Sequence, residues 1–524
     1  MTSTAEMELP EPLLPEERET AWERWRDSLL GDPRRRRLLR WLVPALITLL
    51  AGVLRIWNLG HPHALVFDET YYVKDAWTLL SLGHEASWPD KADESFLAGD
   101  TDAYTTDGSF VVHPPLGKWI IALGLMAFGP GSGWGWRIAT ALVGTAAVLV
   151  LYLVAKRLSG SIVFAGIAAF LMAIDGLAIV LSRVTLLDTS LMAFVLVAFW
   201  FVLIDHERSQ ASVQELTRLS DDDSLRELRW GPVLWNRPWI VAAGVALGAA
   251  TAVKWSGLYA LAGLGIYLVV TDALARRRAG VAYWPWDAVL RQGPVTFLLL
   301  VPVAALVYVA SWTGWLVTAG GYDRTVDANP LVSLWKYHEA IYNFHVGLRT
   351  EHAYASPAWQ WPLLLRPTAM YWHSEPAGEG ACAASSGCVQ VVWSVPNPLI
   401  WYAAVAAVLF VVYRFVRTRD WRYAAVLTGV AITYVPWLLY PDRTIFQFYT
   451  IAILPFMLLA LMFALREVAG PTGASVYRRA SGQGVVVVFL AVAVLVSAFF
   501  YPLWTGMEVP YDFWRLHAWG NGWI

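Results

Sequence analysis

Two cysteines stand in 524 residues, Cys382 and Cys388, both in one polar stretch, so a cysteine-rich metal centre is excluded. Charge is scarce. Asp, Glu, Lys and Arg make up 15%, where a soluble domain carries about 25%. Neither sign accumulates, the net balance being −2, which leaves no overall basic field for nucleic acid. Lysine is nearly missing, six against 33 arginines. No short apolar core followed by a small-residue cleavage site occurs near the start, so the first apolar run is expected to be kept rather than cut away as a signal peptide. No internal repeat recurs, which weakens a transporter built of inverted repeats.

What is abundant is apolar sequence, 57% of the chain, with 30 Trp, 22 Tyr and 21 Phe. Such rings favour membrane interfaces and ligand surfaces. A span needs ~20 apolar residues to cross ~30 Å of hydrocarbon, and roughly a dozen runs of that kind rule out a one-span anchor on a globular domain. The pattern predicts an all-α integral membrane protein with about eleven transmembrane helices. They fall near 41–58, 137–155, 162–181, 186–204, 238–253, 256–273, 294–316, 398–413, 423–440, 445–465 and 484–502. The run from Lys118 to Phe128 is only half a span long and is read as an interfacial or re-entrant helix. With that choice every basic cluster falls on the cytoplasmic side: Arg34–Arg37 and Arg40, Lys156 and Arg157, 205–237, Arg276–Arg278 with Arg291, Arg414–Arg422, and Arg466 with Arg478 and Arg479. The amino terminus is then cytoplasmic and the carboxyl terminus external.

The chain divides accordingly into a basic tail (1–40), a membrane module (41–316) that includes an external loop at 59–116, an external cap loop (317–397), carboxyl-terminal spans (398–502) and an external tail (503–524). The 59–116 loop holds ten acidic residues and only Lys74 and Lys91 as strong bases. The 317–397 loop is too long to be a passive connection and carries eight Trp and Tyr between Trp335 and Trp372.

Asp68 and Glu69 open the first loop. Adjacent carboxylates diverge on a helix, so one at most points into a given site. A solvated acidic pair is the plain reading; Phe67 before it and Tyr71 and Tyr72 after it argue for a carboxylate held near a cavity at the membrane surface. His113 sits in His113-Pro-Pro, whose prolines already explain an extended entry to the next helix. Arg183 and Asp188 share one short external turn, as an anion site or as an interfacial salt bridge; Lys254 lies on a second turn and Arg443 on a third. Three cations on a face otherwise depleted of positive charge call for an anionic partner, and a phosphate meets that need.

Phe67-Asp-Glu-Thr-Tyr-Tyr, His113-Pro-Pro-Leu-Gly-Lys, Ser182-Arg-Val-Thr-Leu-Leu-Asp, Val253-Lys-Trp-Ser-Gly-Leu and the terminal aromatic segment, in this order, resemble the protein O-mannosyltransferases over most of residues 40–524. The arginine-rich usage is similar to that of actinobacterial members. The large β-trefoil insert of eukaryotic relatives after the seventh span is missing.

The resemblance implies a GT-C-type glycosyltransferase of the plasma membrane, with its active site on the external face. It would move mannose from polyprenyl phosphate mannose to Ser or Thr of unfolded secreted polypeptides, in contact or not with the secretion machinery. A lipid phosphate leaves as a stable anion, so one base suffices where a glycosidase also needs an acid. Asp68 is the expected base, taking the proton of the acceptor hydroxyl as that hydroxyl attacks the anomeric carbon with inversion, and Glu69 positions the loop or the acceptor. Arg183, Arg443 and, more weakly, Lys254 hold the donor phosphate, supported by His113, Asp188 and Tyr71. Cys382 and Cys388 are expected to form a disulfide, since the external compartment is oxidising. No cofactor is required by this chemistry. The adjacent carboxylates lack the spaced pair that a metal bridging the sugar phosphate would use, although a water-rich divalent site completed from other loops stays open. A related lipid-donor transferase acting on a glycolipid is the near alternative, and a transporter the distant one.

Overall fold

A computed structural model describes residues 19–221, 229–380, 382–471 and 473–523, with the side chains of 216–221 outside it. The first eighteen residues of the expected basic tail, and 222–228 of the expected 205–237 basic connection, lie outside the described residues.

Among the described residues eight helices are long and apolar enough to cross a membrane, or nine if one bent pair counts as a single span. Their ends follow from local sequence. Pro33–Ile56 starts with a proline in its first turn behind Asp32, whose carboxylate accepts from the Arg34 N–H. Gly133–Ser159 starts on Ser132 and stops at Gly160, in left-handed backbone at φ 69°. Lys156 and Arg157 fill its last turn, where the helix dipole favours cations. The two other expected spans, at 238–253 and 445–465, are shorter: Pro238–Val253 has 16 residues, and Leu454–Val468 has 15 after a 3-10 turn at Gln447–Ala452. The half-length run forms Leu116–Phe128, 13 residues packed against Glu69–Leu82 and Gly133–Ser159.

The expected span at 162–181 is broken. Ile162–Ile174 and Gly176–Arg183 meet at 56° on Asp175. Asp175 accepts from the Ala178 N–H at 3.2 Å and the Asn397 N–H at 3.0 Å, so its carboxylate replaces the bonds lost at the kink. Only glycine fits at 176, where a Cβ would meet the Trp504 ring at 2.1 Å and the Val395 carbonyl at 2.3 Å. This pair and Leu454–Val468 are buried on almost every side and form the centre of the core.

The all-α expectation needs one addition. Ala369–Glu375 and Cys388–Trp393 pair antiparallel, and Glu508–Pro510 adds to the second strand, making a three-stranded sheet. Val389, Val391 and Val392 are buried, and β-branched side chains of this kind fit a pleated surface. The segment 317–397 also holds the Pro330–Gly347 helix and a 3-10 turn at Ala358–Leu363. Cys382 and Cys388 are joined in a disulfide that closes the hairpin between the first two strands.

Candidate active site

The site begins with Glu69, the first residue of the Glu69–Leu82 helix and fully buried. Arg137 grips it with both prongs, Nε to Oε1 at 2.9 Å and Nη2 to Oε2 at 2.8 Å. The Val66 and Thr185 N–H groups each donate to it at 2.8 Å. Arg137 in turn donates to the carbonyls of Leu59, Pro62 and Ala64. One carboxylate and one guanidinium thus tie the start of the 59–116 loop to the Gly133–Ser159 helix and to the turn after Arg183. Every strong acceptor and donor of the pair is engaged, as a buried ion pair requires.

Asp68 differs in every respect. It sits at the amino end of the same helix without capping it, and its carboxylate makes no hydrogen bond or ion pair among the described residues. Phe67 before it takes a left-handed backbone at φ 53°. That conformation costs a non-glycine residue roughly 1–2 kcal/mol. It is held by edge-on contacts of the Phe67 ring with His352, Phe446 and Phe448, at centroid distances of 5.8, 5.6 and 5.6 Å. Burial pushes the Asp68 carboxyl up to about 6, with Lys254 pulling it down and Asp188 pushing it up.

Beyond Asp68 lies a cavity of about 300 Å³ whose wall includes His113, Lys254, Tyr259, His345, Tyr440 and Arg443. Lys254 follows the Pro238–Val253 helix; its Nζ donates to both oxygens of Asp188, at 2.9 and 3.1 Å, and lies 4.2 Å from the Tyr449 ring centroid. Arg443 donates through Nε to the His345 carbonyl and bonds His345 Nδ1 through Nη2, both at 3.1 Å. The other His345 nitrogen, Nε2, faces the Val112 carbonyl at 2.9 Å. A carbonyl can only accept, so Nε2 carries the proton and Nδ1 accepts from Arg443. The His113 ring stacks on that of His345 at 5.4 Å, and its buried Nδ1 has no partner. Burial, together with Lys254, holds His113 well below the usual histidine range and therefore neutral.

The expected site residues separate into those this cavity gathers and those it does not. His113, Lys254 and Arg443 come together around it, Asp188 lies behind Lys254, and Asp68 is near both Lys254 and Asp188. Arg183 is not in the wall of this cavity: its Nη1 donates to the carbonyls of Arg55 and Trp57 and its Nη2 to that of Asn58, so it closes the end of the Pro33–Ile56 helix. Asp188 correspondingly pairs with Lys254, not with Arg183. Tyr71 is 64% exposed. Its neighbour Tyr72 turns inward, 6.1 Å from the His113 ring, because successive helical residues diverge by about 100°. Sequence reasoning missed Arg137 and His345. A lone arginine opening an apolar run was the available signal for the first; nothing local marked the second. Among the described residues no three His, Cys, Asp or Glu side chains form a group that could hold a metal ion.

The sequence pattern of the dolichyl-phosphate-mannose-protein mannosyltransferases matches residues 45–318, and that of the carboxyl-terminal four-span region of protein O-mannosyltransferases matches residues 330–523. The chain is 33% identical over 506 residues to a polyprenol-phosphate-mannose–protein mannosyltransferase of Mycolicibacterium smegmatis, covering 92% of this chain and 93% of that protein. It is 30% identical over 502 residues to the protein of the same description from Corynebacterium glutamicum, covering 91% of each. Among solved structures, the S. cerevisiae protein O-mannosyltransferase Pmt1–Pmt2 complex bound to the sugar donor aligns with a TM-score of 0.67 at 15% identity, over 93% of this chain and 92% of that one. At that identity the likeness speaks for the fold.

Proposed function

This chain belongs to the dolichyl-phosphate-mannose-protein mannosyltransferase family, and we propose that it moves mannose from polyprenyl phosphate mannose to Ser or Thr hydroxyls of polypeptides, with Asp68 as the base. The observation that carries this reading is the contrast inside one dipeptide. Glu69 is consumed by structure, whereas the Asp68 carboxylate is buried enough to be raised toward neutrality and is bonded to nothing among the described residues. A base must be ionised yet poised near the working pH, and Asp68 is both.

In the proposed step the acceptor hydroxyl oxygen forms a bond to the anomeric carbon while the bond from that carbon to the phosphate oxygen breaks. The electron pair leaves with the lipid phosphate, and the hydroxyl proton goes to Asp68. Attack from the face opposite the leaving group inverts the configuration. Lys254 and Arg443 hold the phosphate: Lys254 is aimed by Asp188, and Arg443 is steered by His345. His113, neutral and with a free Nδ1, adds a polar contact without competing for the anion. Arg183 is not part of this binding set. The Glu69–Arg137 pair positions the loop.

Since a polyprenyl tail stays in hydrocarbon while its phosphate cannot, the donor sits at a bilayer surface, and the loops of that surface bear the site. We assign this face to the outside of the plasma membrane. Acceptors are then unfolded secreted segments, extended and rich in Pro, Ala and Thr, that thread past the aromatic side chains of the 59–116 and 317–397 loops.

The test is transfer of radiolabelled mannose from polyprenyl phosphate mannose to a Thr-rich peptide, in membranes bearing the wild-type or the Asp68→Asn protein, with and without a chelator. Wild-type transfer to peptide with inverted product, absent in Asp68→Asn, supports the reading. Label found only in glycolipid would overturn the acceptor assignment, and a chelator-sensitive rate would overturn metal independence.

A further inference from the structure

At the end of the molecule away from the catalytic cavity lies a second set of cations that, among the described residues, has no carboxylate partner. Arg137 and Lys156 lie on one helix, 19 residues apart, which at 1.5 Å per residue separates the two ends by roughly 28 Å. Around Lys156 a cavity of about 380 Å³ is walled by Arg36, Arg37, Arg40 and Lys156, with Leu30 and Ile162 and no carboxylate. Among the described residues Arg36, Arg37 and Arg40 form no ion pair, and Lys156 bonds only the Gly160 carbonyl.

The neighbouring larger cavity makes the contrast clear. Arg36 and Lys156 border that cavity too, but its carboxylates are taken by other bases: Arg414 pairs with Glu467, Arg422 with Asp420, Arg479 with Glu23 and Arg26 with Asp27. Positive charge that merely orients a membrane protein needs no common focus, yet these four bases converge.

Leu30 and Ile162 also border an adjoining apolar groove of about 420 Å³, lined by Trp25, Leu29, Val43, Ile47 and Ile167 among others. One wall of this groove is the Ala21–Leu30 helix. Its Thr20–Glu23 capping box fixes its start, and Arg479 and Gln483 pin it to the Val476–Trp504 helix. Its Trp25 is left 53% exposed. A cationic pocket opening directly into an apolar channel on the side of a membrane-spanning bundle matches a molecule with an anionic head and hydrocarbon tails.

We propose that this is a binding site for an anionic glycerophospholipid of the leaflet opposite the catalytic cavity. The phosphate lies among Arg36, Arg37, Arg40 and Lys156, and an acyl chain lies along Val43, Ile47 and Ile167 under the Ala21–Leu30 helix. Charge complementarity selects the anionic headgroup, and continuity with the groove selects a lipid over a soluble phosphate.

Native mass spectrometry of the purified full chain, titrated with phosphatidylglycerol or phosphatidylcholine, tests the proposal, alongside thermal melting with glycerol 3-phosphate. Wild type is expected to retain phosphatidylglycerol several-fold more tightly than phosphatidylcholine and to gain nothing from glycerol 3-phosphate. Removing one base costs roughly fivefold in affinity. Lys156→Gln should therefore weaken phosphatidylglycerol by that factor, and Arg36→Gln/Arg37→Gln/Arg40→Gln should abolish the preference. Lys156→Gln leaves the arginine cluster that orients the chain intact, so it stands even if the triple variant does not insert. Equal retention of the two lipids by wild type, an undiminished preference in Lys156→Gln, or stabilisation by glycerol 3-phosphate equal to that by phosphatidylglycerol would each overturn the proposal.

Discussion

Two clusters of charge lie within a few residues of each other at the mouth of this bundle, and they are built on opposite principles. Around Glu69, Arg137 and Arg183 the charge is spent on structure: the carboxylate takes four donors, Arg137 divides itself between that carboxylate and backbone carbonyls, and Arg183 ends on backbone carbonyls. Around Asp68, His113, Lys254 and Arg443 the polar capacity is left partly open, the Asp68 carboxylate and His113 Nδ1 having no partner among the described residues. Saturated charge is scaffold, because a buried ion is tolerated only when its bonds are complete. Unsaturated charge persists where a ligand completes it.

The largest expected effect breaks that contrast from the open side. Asp68→Asn removes the base with almost no change of shape, and general-base catalysis supplies ~10²–10⁴ in rate. Mannosyl transfer should fall by that factor, while expression and melting temperature stay at wild-type values. A normal rate from a well-folded Asp68→Asn protein would move the base elsewhere.

Glu69→Gln attacks the closed side. It leaves Arg137 buried without its counter-charge, at a cost of about 3–5 kcal/mol. The loss should appear first as protein yield and melting temperature in detergent, and only secondarily as rate. If Glu69→Gln melted like wild type but lacked activity, Glu69 would join the reacting groups and the contrast would fail.

Two arginines then sharpen it. Arg443→Lys loses the fork that bonds His345 at two points; a charge-assisted bond is worth ~1.5–3 kcal/mol, which corresponds to about ten- to a hundredfold in kcat/KM with little change in stability. Arg183→Lys loses its carbonyl contacts and should lower the melting temperature while leaving the KM for donor unaltered. Exchanged outcomes would restore Arg183 as a phosphate ligand.

Arg183 also marks the limit of what could be read beforehand. A lone arginine on a short turn looks the same in sequence whether its target is a phosphate or the carbonyls of a helix end at Arg55, Trp57 and Asn58, since every residue carries the same backbone acceptor. Apolar run length was enough for the main spans, because it acts over many residues. Lys254 and Arg443 stood out in the sequence as cations where positive charge is otherwise scarce, and Asp68 by its aromatic neighbours within an acidic loop. His345 was not, since its role depends on Arg443, 98 positions away. The small sheet was hidden likewise: Gln390 pairs with Glu508 across a long stretch of chain.

The smallest expected effect concerns pH, and it separates the two clusters without any mutation. The Asp68 carboxyl is raised to about 6, and the active form of a base is the ionised one. As pH falls through about 6, kcat/KM should therefore decline, approaching tenfold per pH unit below it. Stability responds with the opposite sign. Between the unfolded value near 4 and the folded value near 6, the native state binds more protons at Asp68 than the unfolded chain does, so acidification across that window favours the native state. Asp75, raised to about 6 by burial, adds a contribution of the same sign. The rate should thus drop between pH 6.5 and 5 while the melting temperature holds or rises. In Asp68→Asn the acid limb of any residual rate should disappear, because nothing is left to titrate there. An acid limb retained in that variant, or a melting temperature that falls in step with the rate, would mean that acid acts by loosening the scaffold and not by protonating the base.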